Sequence, residues 1–563
     1  MTCYQWIVSF SACLLFSFSG SIYASLDSSS QDGHILFLIQ QGEHLQALKL
    51  YQEEVKAKEK HNYELLNHMG LAILDYGSRQ SDPEIQLLTL FGAQISANDE
   101  ACGILEGCLK SRYPEIQLLA LASLSQMQQD QADQAIFRML GSAHGLVRFE
   151  AIAYLCKKKH PLAIDQAESL MVKSPKEILV LYPPLLVDLG NAKSIRVLRK
   201  LINNPSADVR QSVILNAALH GRDDFLPQIR QQTLHFHFAQ QEVCAYALGL
   251  LKDEQSIDKL NKLSQSQYPS VALAANWALY QLGKTSALKA IEEAALKNDL
   301  FAIQTLGTFN AESSSTLLQL LKNADMQVKF NAQIALLNQH HPDSLENIEQ
   351  ILIKDNRDLG FVALKSPGKT FKAWKVISGA SELLKEDADA YKTQLELKEW
   401  ILLNIREISE SKFLKIAHSL FTAQQNELVP NLVTLLEEIE TPEAVACLKK
   451  YQQKLGAPLI RNYCNLALYR LGEPGPYSHQ LRQAIKNQSQ SDLIQFQPHD
   501  PWKKSSHNYE LTPAETSRLL IESFQAFAIQ QDKEGVELLI DVIATGNVKN
   551  KYALAGLLLR AAQ

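Results

Sequence analysis

The strongest constraint on this chain is that it repeats itself. Pro83-Glu84-Ile85-Gln86-Leu87-Leu88 recurs almost letter for letter as Pro114-Glu115-Ile116-Gln117-Leu118-Leu119, 31 residues later. The same step reaches Val147, Ile178 and Val209, loses its apolar anchor at Gln240, and regains it at Val271 after Pro269. A fixed period of this length marks an array of identical supersecondary units, each unable to bury its apolar face alone.

The segment from Tyr268 to Gly283 shows what one unit contains. Pro269 suits the first turn of a helix, where a missing N–H costs nothing. Val271, Ala274, Ala275, Ala278, Leu279 and Leu282 then recur at helical spacing and form one wide apolar face. Gly283 suits the left-handed residue that ends many helices, and a shorter helix is predicted over Ser286 to Lys297. The unit is a helical hairpin, and successive hairpins must stack. Composition agrees, since 24 Gly and 19 Pro in 563 residues are too few for a turn-rich β fold. The expected fold is all-α, an α-solenoid of stacked antiparallel helical hairpins. A net charge of −6 from 55 basic and 61 acidic side chains supplies no basic field for nucleic acid.

The pattern resembles the HEAT-like repeat family in its short form, whose second helix opens with a proline or acidic residue, then Val-Arg, with an Ala-Leu pair later. Val147-Arg148, Val209-Arg210, Val328-Lys329 and Ile460-Arg461 match the opening, and Ala278-Leu279, Ala335-Leu336 and Ala467-Leu468 match the pair. Around residues 31–78, Gly42, Ala47, Tyr51, Leu66, Met69, Gly70 and Ile73 resemble tetratricopeptide-like hairpins. The expected organisation is a signal peptide (1–24), these amino-terminal hairpins (31–78), HEAT-like repeats (79–345), degenerate repeats (346–475), a polar loop (476–511) and carboxy-terminal capping helices (512–563). The resemblance implies a HEAT-like superhelix that binds protein partners, expected here as a monomer.

No charged residue precedes Asp27, and Trp6 to Phe18 is mostly apolar, which predicts a signal for export to a periplasmic, envelope-associated or secreted location. The alternative is retention as a membrane anchor, against which five serines dilute the run. The six remaining cysteines are scattered without a CxxC pair and read as buried apolar side chains.

Chemistry is hard to find. HExxH and GxSxG are absent. On the helix expected at His235-Phe236-His237, the two imidazoles point about 200° apart and cannot share a metal ion. Ser366-Pro367-Gly368-Lys369-Thr370 lacks the leading glycine of a phosphate loop, having Ala363 in its place. Among enzymatic members of the resembling family, deoxyhypusine hydroxylase uses His-Glu pairs, and none of the 15 histidines here precedes Glu. Alkylpurine DNA glycosylases of this fold use a basic surface, which this composition does not support. The expectation is therefore a non-enzymatic scaffold with no catalytic residues, metal or cofactor; the alternative is a lyase-type enzyme that uses the array as a frame. Candidate protein-binding residues are Phe496, Trp502 and Tyr509 in the polar loop, and the cations Arg148, Arg210, Lys329 and Arg461 behind the anchors. The competing reading pairs those cations with acids of adjoining units.

Overall fold

A computed structural model describes residues 30–309, 311–353, 388–488 and 513–563. The chain divides into two compact units, one of residues 1–111, 486–494 and 524–563, the other of residues 112–485 and 495–523. Every described regular element is helical. Among the described residues no helix is long and apolar enough to cross a membrane.

The first unit begins with α1 (Ser30–Gln40), α2 (His44–Lys58), α3 (Tyr63–Ser78) and α4 (Pro83–Ile95). Their starts are locally encoded: Asn62 and Asp82 accept hydrogen bonds from Leu65 N and Glu84 N, satisfying amides that a helix leaves open. The second unit holds the array, including α5 (Gly145–Lys157), α6 (Ala207–Leu219), α7 (Phe238–Leu250), α8 (Pro269–Gln281), α9 (Leu300–Gly307) and α10 (Met326–Asn338). The chain ends in the first unit with α11 (Lys533–Thr545) and α12 (Asn550–Ala561).

In the array the predicted apolar face is the buried one. Val271, Ala275 and Ala278 of α8 are fully enclosed, and Gly283 closes the helix at φ +79°. The alanine of the Ala-Leu pair sits at the tightest point between neighbours: a Cβ built on Gly249 of α7 would stand 2.8 Å from the Ala278 Cβ, and one on Gly307 of α9 would stand 2.9 Å from the Ala335 Cβ of α10. Small residues here bring backbones into contact, so no larger side chain fits without moving a helix. Gln240 breaks the apolar anchor series and remains fully buried, with neither amide atom hydrogen-bonded to a described residue. Because an orphaned buried amide costs stability and Val occupies this position in the units on either side, Gln240→Val is expected to stabilise the array by about 1–2 kcal/mol in urea unfolding.

The first unit brings together the two ends of the described chain. Helix α12 packs on α3 and α4, and α11 packs on α2. Tyr552 through Leu559 are all buried, as expected of a helix apolar on every side. Contact is at backbone distance: a Cβ on Gly556 would overlap the Gly92 carbonyl, and one on Gly70 would stand 2.9 Å from Ala555 O. Polar contacts frame this seam, with Lys549 Nζ 2.9 Å from the Glu84 carboxylate and Lys533 Nζ donating to Glu59 O at 3.0 Å. The carboxy-terminal pair, read from sequence as a cap, thus has the first described helices as its neighbours.

His44 at the start of α2 is buried in this unit, edge-on to Tyr76 with ring centroids 4.9 Å apart. Burial, aided by the Lys551 ammonium, pushes its pKa down to about 4. An unfolded histidine takes up its proton near pH 6.5, whereas the folded one resists until about pH 4, so acid favours the unfolded chain across that window. Stability of this unit is expected to fall by on the order of 3 kcal/mol as pH drops through it. His44→Leu should flatten that limb in denaturant titrations at pH 7 and pH 4.5.

Two expectations about local structure change. The segment 476–511 was expected to be a loop, but it opens with a helix, Tyr477–Gln488, whose Tyr477, Leu481 and Ile485 are buried at four-residue spacing among otherwise polar residues. The pair His235 and His237 stands in the turn before α7 rather than on a helix, and His235 Nδ1 accepts from His237 N at 3.1 Å. The first 29 residues and the 366–370 segment lie outside the described residues.

Candidate protein-binding groove

The residues behind the anchors serve the loops. Arg148 donates to the carbonyls of Ser142 (2.5 Å) and Ala143 (3.2 Å), and Arg210 to those of Asn204 (2.7 Å) and Pro205 (2.9 Å). Gln86 and Gln241, on the same 31-residue register, donate to the Gln80 and His235 carbonyls at 2.7 and 2.8 Å. Each closes the turn ahead of its own helix, so the long polar side chain at this position satisfies loop carbonyls that the helix cannot. Lys329 and Arg461 are half-buried on their helices. Phe496, Trp502 and Tyr509 lie outside the described residues.

The array does not stack evenly. Helix α7 packs closely on α8, and α9 on α10, but α8 and α9 both pack on the intervening helix Ser286–Leu296 rather than closely on each other. The sequence supplies a reason. Thirty-one residues after Gly249, where a glycine would permit close approach, stands Tyr280, whose ring meets Phe309 at 4.3 Å and whose hydroxyl donates to Glu312 at 2.9 Å. An aromatic there holds the next helix away.

A groove of about 500 Å³ opens across α7, α8 and α9. It is lined by Leu215, Val243, Leu273, Ala274 and Phe301 and by two stacked aromatic pairs, Tyr246 with Trp277 (4.4 Å) and Phe238 with Tyr268 (5.0 Å). The size lies within the usual range of ligand pockets. Apolar surface continues into the turn before α7, where Leu234 and Phe236 are 78% and 89% exposed. Exposed aromatics gathered in this way mark interaction surfaces.

Two carboxylates reach the groove, and no Lys or Arg lines it. Asp299 caps α9, accepting from Phe301 N (2.9 Å) and Ala302 N (3.1 Å). Glu242 makes no ion pair or hydrogen bond with any described residue. The same holds for the Tyr268 and Ser270 hydroxyls and the Trp277 indole N–H. The groove therefore presents flat apolar faces, three uncommitted donors and one uncommitted anion.

None of these groove residues was singled out from sequence as a binding residue; Pro269 and Ala274 are read there as a helix start and part of the stacking face. Position two of the second helix is acidic at Glu84, Glu115, Glu177 and Asp208, apolar at Leu146, and is Ala239, Ser270 and Phe301 in the three units that follow Asp208. Acids suit helix starts, and in the last of these units the acid stands at the cap, Asp299.

Other clusters offer no comparable chemistry. Among the described residues no group of three His, Cys, Asp or Glu gathers as for a metal. Cys447 Sγ lies 3.8 Å from His418 Nδ1, but burial pushes the thiol up to about 11 and the imidazole down, which opposes a thiolate–imidazolium pair. The six described cysteines are buried and free.

The hairpin stacking defines an α-solenoid. No protein-family model and no curated protein matches the chain. Solved structures of similar fold include importin beta (11% identity, TM-score 0.32, covering 91% of this chain and 72% of that one). UNC-45 from Drosophila melanogaster is similar at 12% identity and TM-score 0.31, covering 94% of this chain and 87% of its own. A homology model of the full-length AP-3 complex stands at 14% identity and TM-score 0.30, with 94% of each chain covered. At these scores the likeness carries no argument.

Proposed function

We propose that this protein is an exported, non-enzymatic scaffold that holds a segment of another protein in the groove across α7, α8 and α9. The observation carrying this reading is that aromatic rings gather on one surface, with Phe238, Tyr268 and Phe301 41–46% exposed, leaving apolar area that no described residue covers. Burying such aromatics against a partner is the largest favourable term available to the groove, at roughly 25 cal/mol per Å² of apolar area. Export rests on the uncharged residues before Asp27.

A photoreactive phenylalanine analogue at position 301, introduced in the full chain in its native host, tests the scaffold reading. It should form a discrete crosslink to another protein, abolished by Phe236→Asp together with Tyr268→Asp. Turnover of a small molecule with no crosslinked protein would overturn the reading in favour of a lyase-type enzyme. Amino-terminal sequencing tests export separately: the mature chain should begin near Ser25, and an intact Met1 in the soluble cytoplasm would exclude it.

A further inference from the structure

We infer that the groove binds a protein segment that sets an arginine against Glu242, with apolar side chains around it; this rests on the scaffold reading and states the chemistry of the partner. The placement of Glu242 carries it. Phe238, Glu242 and Tyr246 all line the groove, and their four-residue spacing puts them in one row along α7, with neighbouring Cβ atoms about 5–6 Å apart. The carboxylate thus stands one helical turn from each of two aromatic side chains, of which Phe238 is 43% exposed. It is half-buried, and it makes no hydrogen bond or ion pair with any described residue. Helices α8 and α9 carry no charged residue, and Glu242 is the one charge on α7. The other carboxylate in the groove, Asp299, is already held by the two amides it caps.

A partner that covers the aromatic surface must also cover Glu242. Taking an unpaired carboxylate out of water is costly, so this residue works against any occupant that brings no cation. A cation meets two needs at once: it neutralises the carboxylate, and it is attracted to aromatic faces beside it. Of the two basic side chains arginine fits better. Its guanidinium is planar, weakly hydrated and able to stack on a ring while it pairs with a carboxylate, whereas the lysine ammonium is a strongly hydrated point charge. Phosphates and acidic segments meet two carboxylates and no lining Lys or Arg, which disfavours them. A free organic cation is too small for the whole surface, because apolar area runs on from Phe238 to Phe236 and Leu234, 89% and 78% exposed. Covering them takes apolar neighbours on the same segment, as in the core of a protein interface.

The test displays random twelve-residue peptides on phage and selects them on the immobilised full chain. Retained sequences should be enriched at least about threefold in arginine over the input, with aliphatic or aromatic neighbours. Selection on Glu242→Gln should lose that enrichment, and selection on Glu242→Lys should favour Asp and Glu instead. Glu242 has no partner among the described residues, so neither variant should shift the melting temperature. The best peptide is then labelled with fluorescein and followed by anisotropy. Replacing its arginine by glutamine should weaken binding about tenfold on the unaltered chain and less than about twofold on Glu242→Gln, the coupling expected of a direct pair. Sequences enriched in lysine rather than arginine or in neither, equal enrichment on Glu242→Gln, or no retained sequence would each overturn the inference. If the protein crosslinked at position 301 meets the groove with a segment that has no arginine, the inference fails while the scaffold reading stands. If no protein is captured, or only a second copy of this chain, the scaffold reading itself fails.

Discussion

Gly556→Val is expected to unfold the unit formed by the two ends of the described chain while leaving the repeat array folded. Any Cβ at position 556 runs into the Gly92 carbonyl, and its next nearest atoms, the Gly92 carbonyl carbon and Cα, are 2.6 and 3.0 Å away. These are backbone atoms of α4, so no rotamer change relieves the collision. Helix α12 would have to move off both α3 and α4, exposing Tyr552 through Leu559. Overpacking usually costs about 1–3 kcal/mol, and with backbone on both sides the loss should reach or exceed the top of that range. Hydrogen exchange should show lost protection over residues 63–95 and 550–561, with residues 207–338 retained. Full retention everywhere would mean that α12 can separate from α4 without consequence and that the seam is not as tight as described.

The second large effect is expected in the array. Ala278→Asp places a carboxylate where the native methyl is fully buried against Gly249 on the neighbouring helix. The added volume presses on backbone. The combined cost should be about 3–5 kcal/mol, through overpacking and an unpaired buried charge. Because each unit of a solenoid contacts chiefly its neighbours, protection should fall in α7, α8 and the adjoining hairpins and persist farther away. Lys289→Gln, on the exposed side of the Ser286–Leu296 helix, should cost under about 0.5 kcal/mol. Equal effects of the two substitutions would refute the assigned buried face, and uniform loss along residues 112–353 would mean that the array unfolds as one body.

The repeat made most of the array legible. Pro269 and Pro83 begin helices where they stand, Gly283 ends one, and Val271, Ala275 and Ala278 are buried as their spacing requires. These are local decisions, set within one turn of helix by capping, ring closure and periodicity, so one sequence suffices to read them. The cations behind the anchors were harder. Position marks Arg148 and Arg210 as special, but only the geometry shows that they close their own loops, because a long side chain at that offset has several partners within reach.

What the sequence determined by itself is the unit: a helical hairpin of 31 residues with one apolar face, which compels stacking because that face has no other way to leave water. What the tertiary structure alone decided is how the units meet. A tyrosine in place of a glycine stands where α8 and α9 part, and three glycines, Gly70 and Gly92 early in the chain and Gly556 near its end, let α12 lie against α3 and α4. Periodicity is blind to both, because packing between helices depends on which side chains face each other across hundreds of residues, and that pairing exists only once the chain has folded.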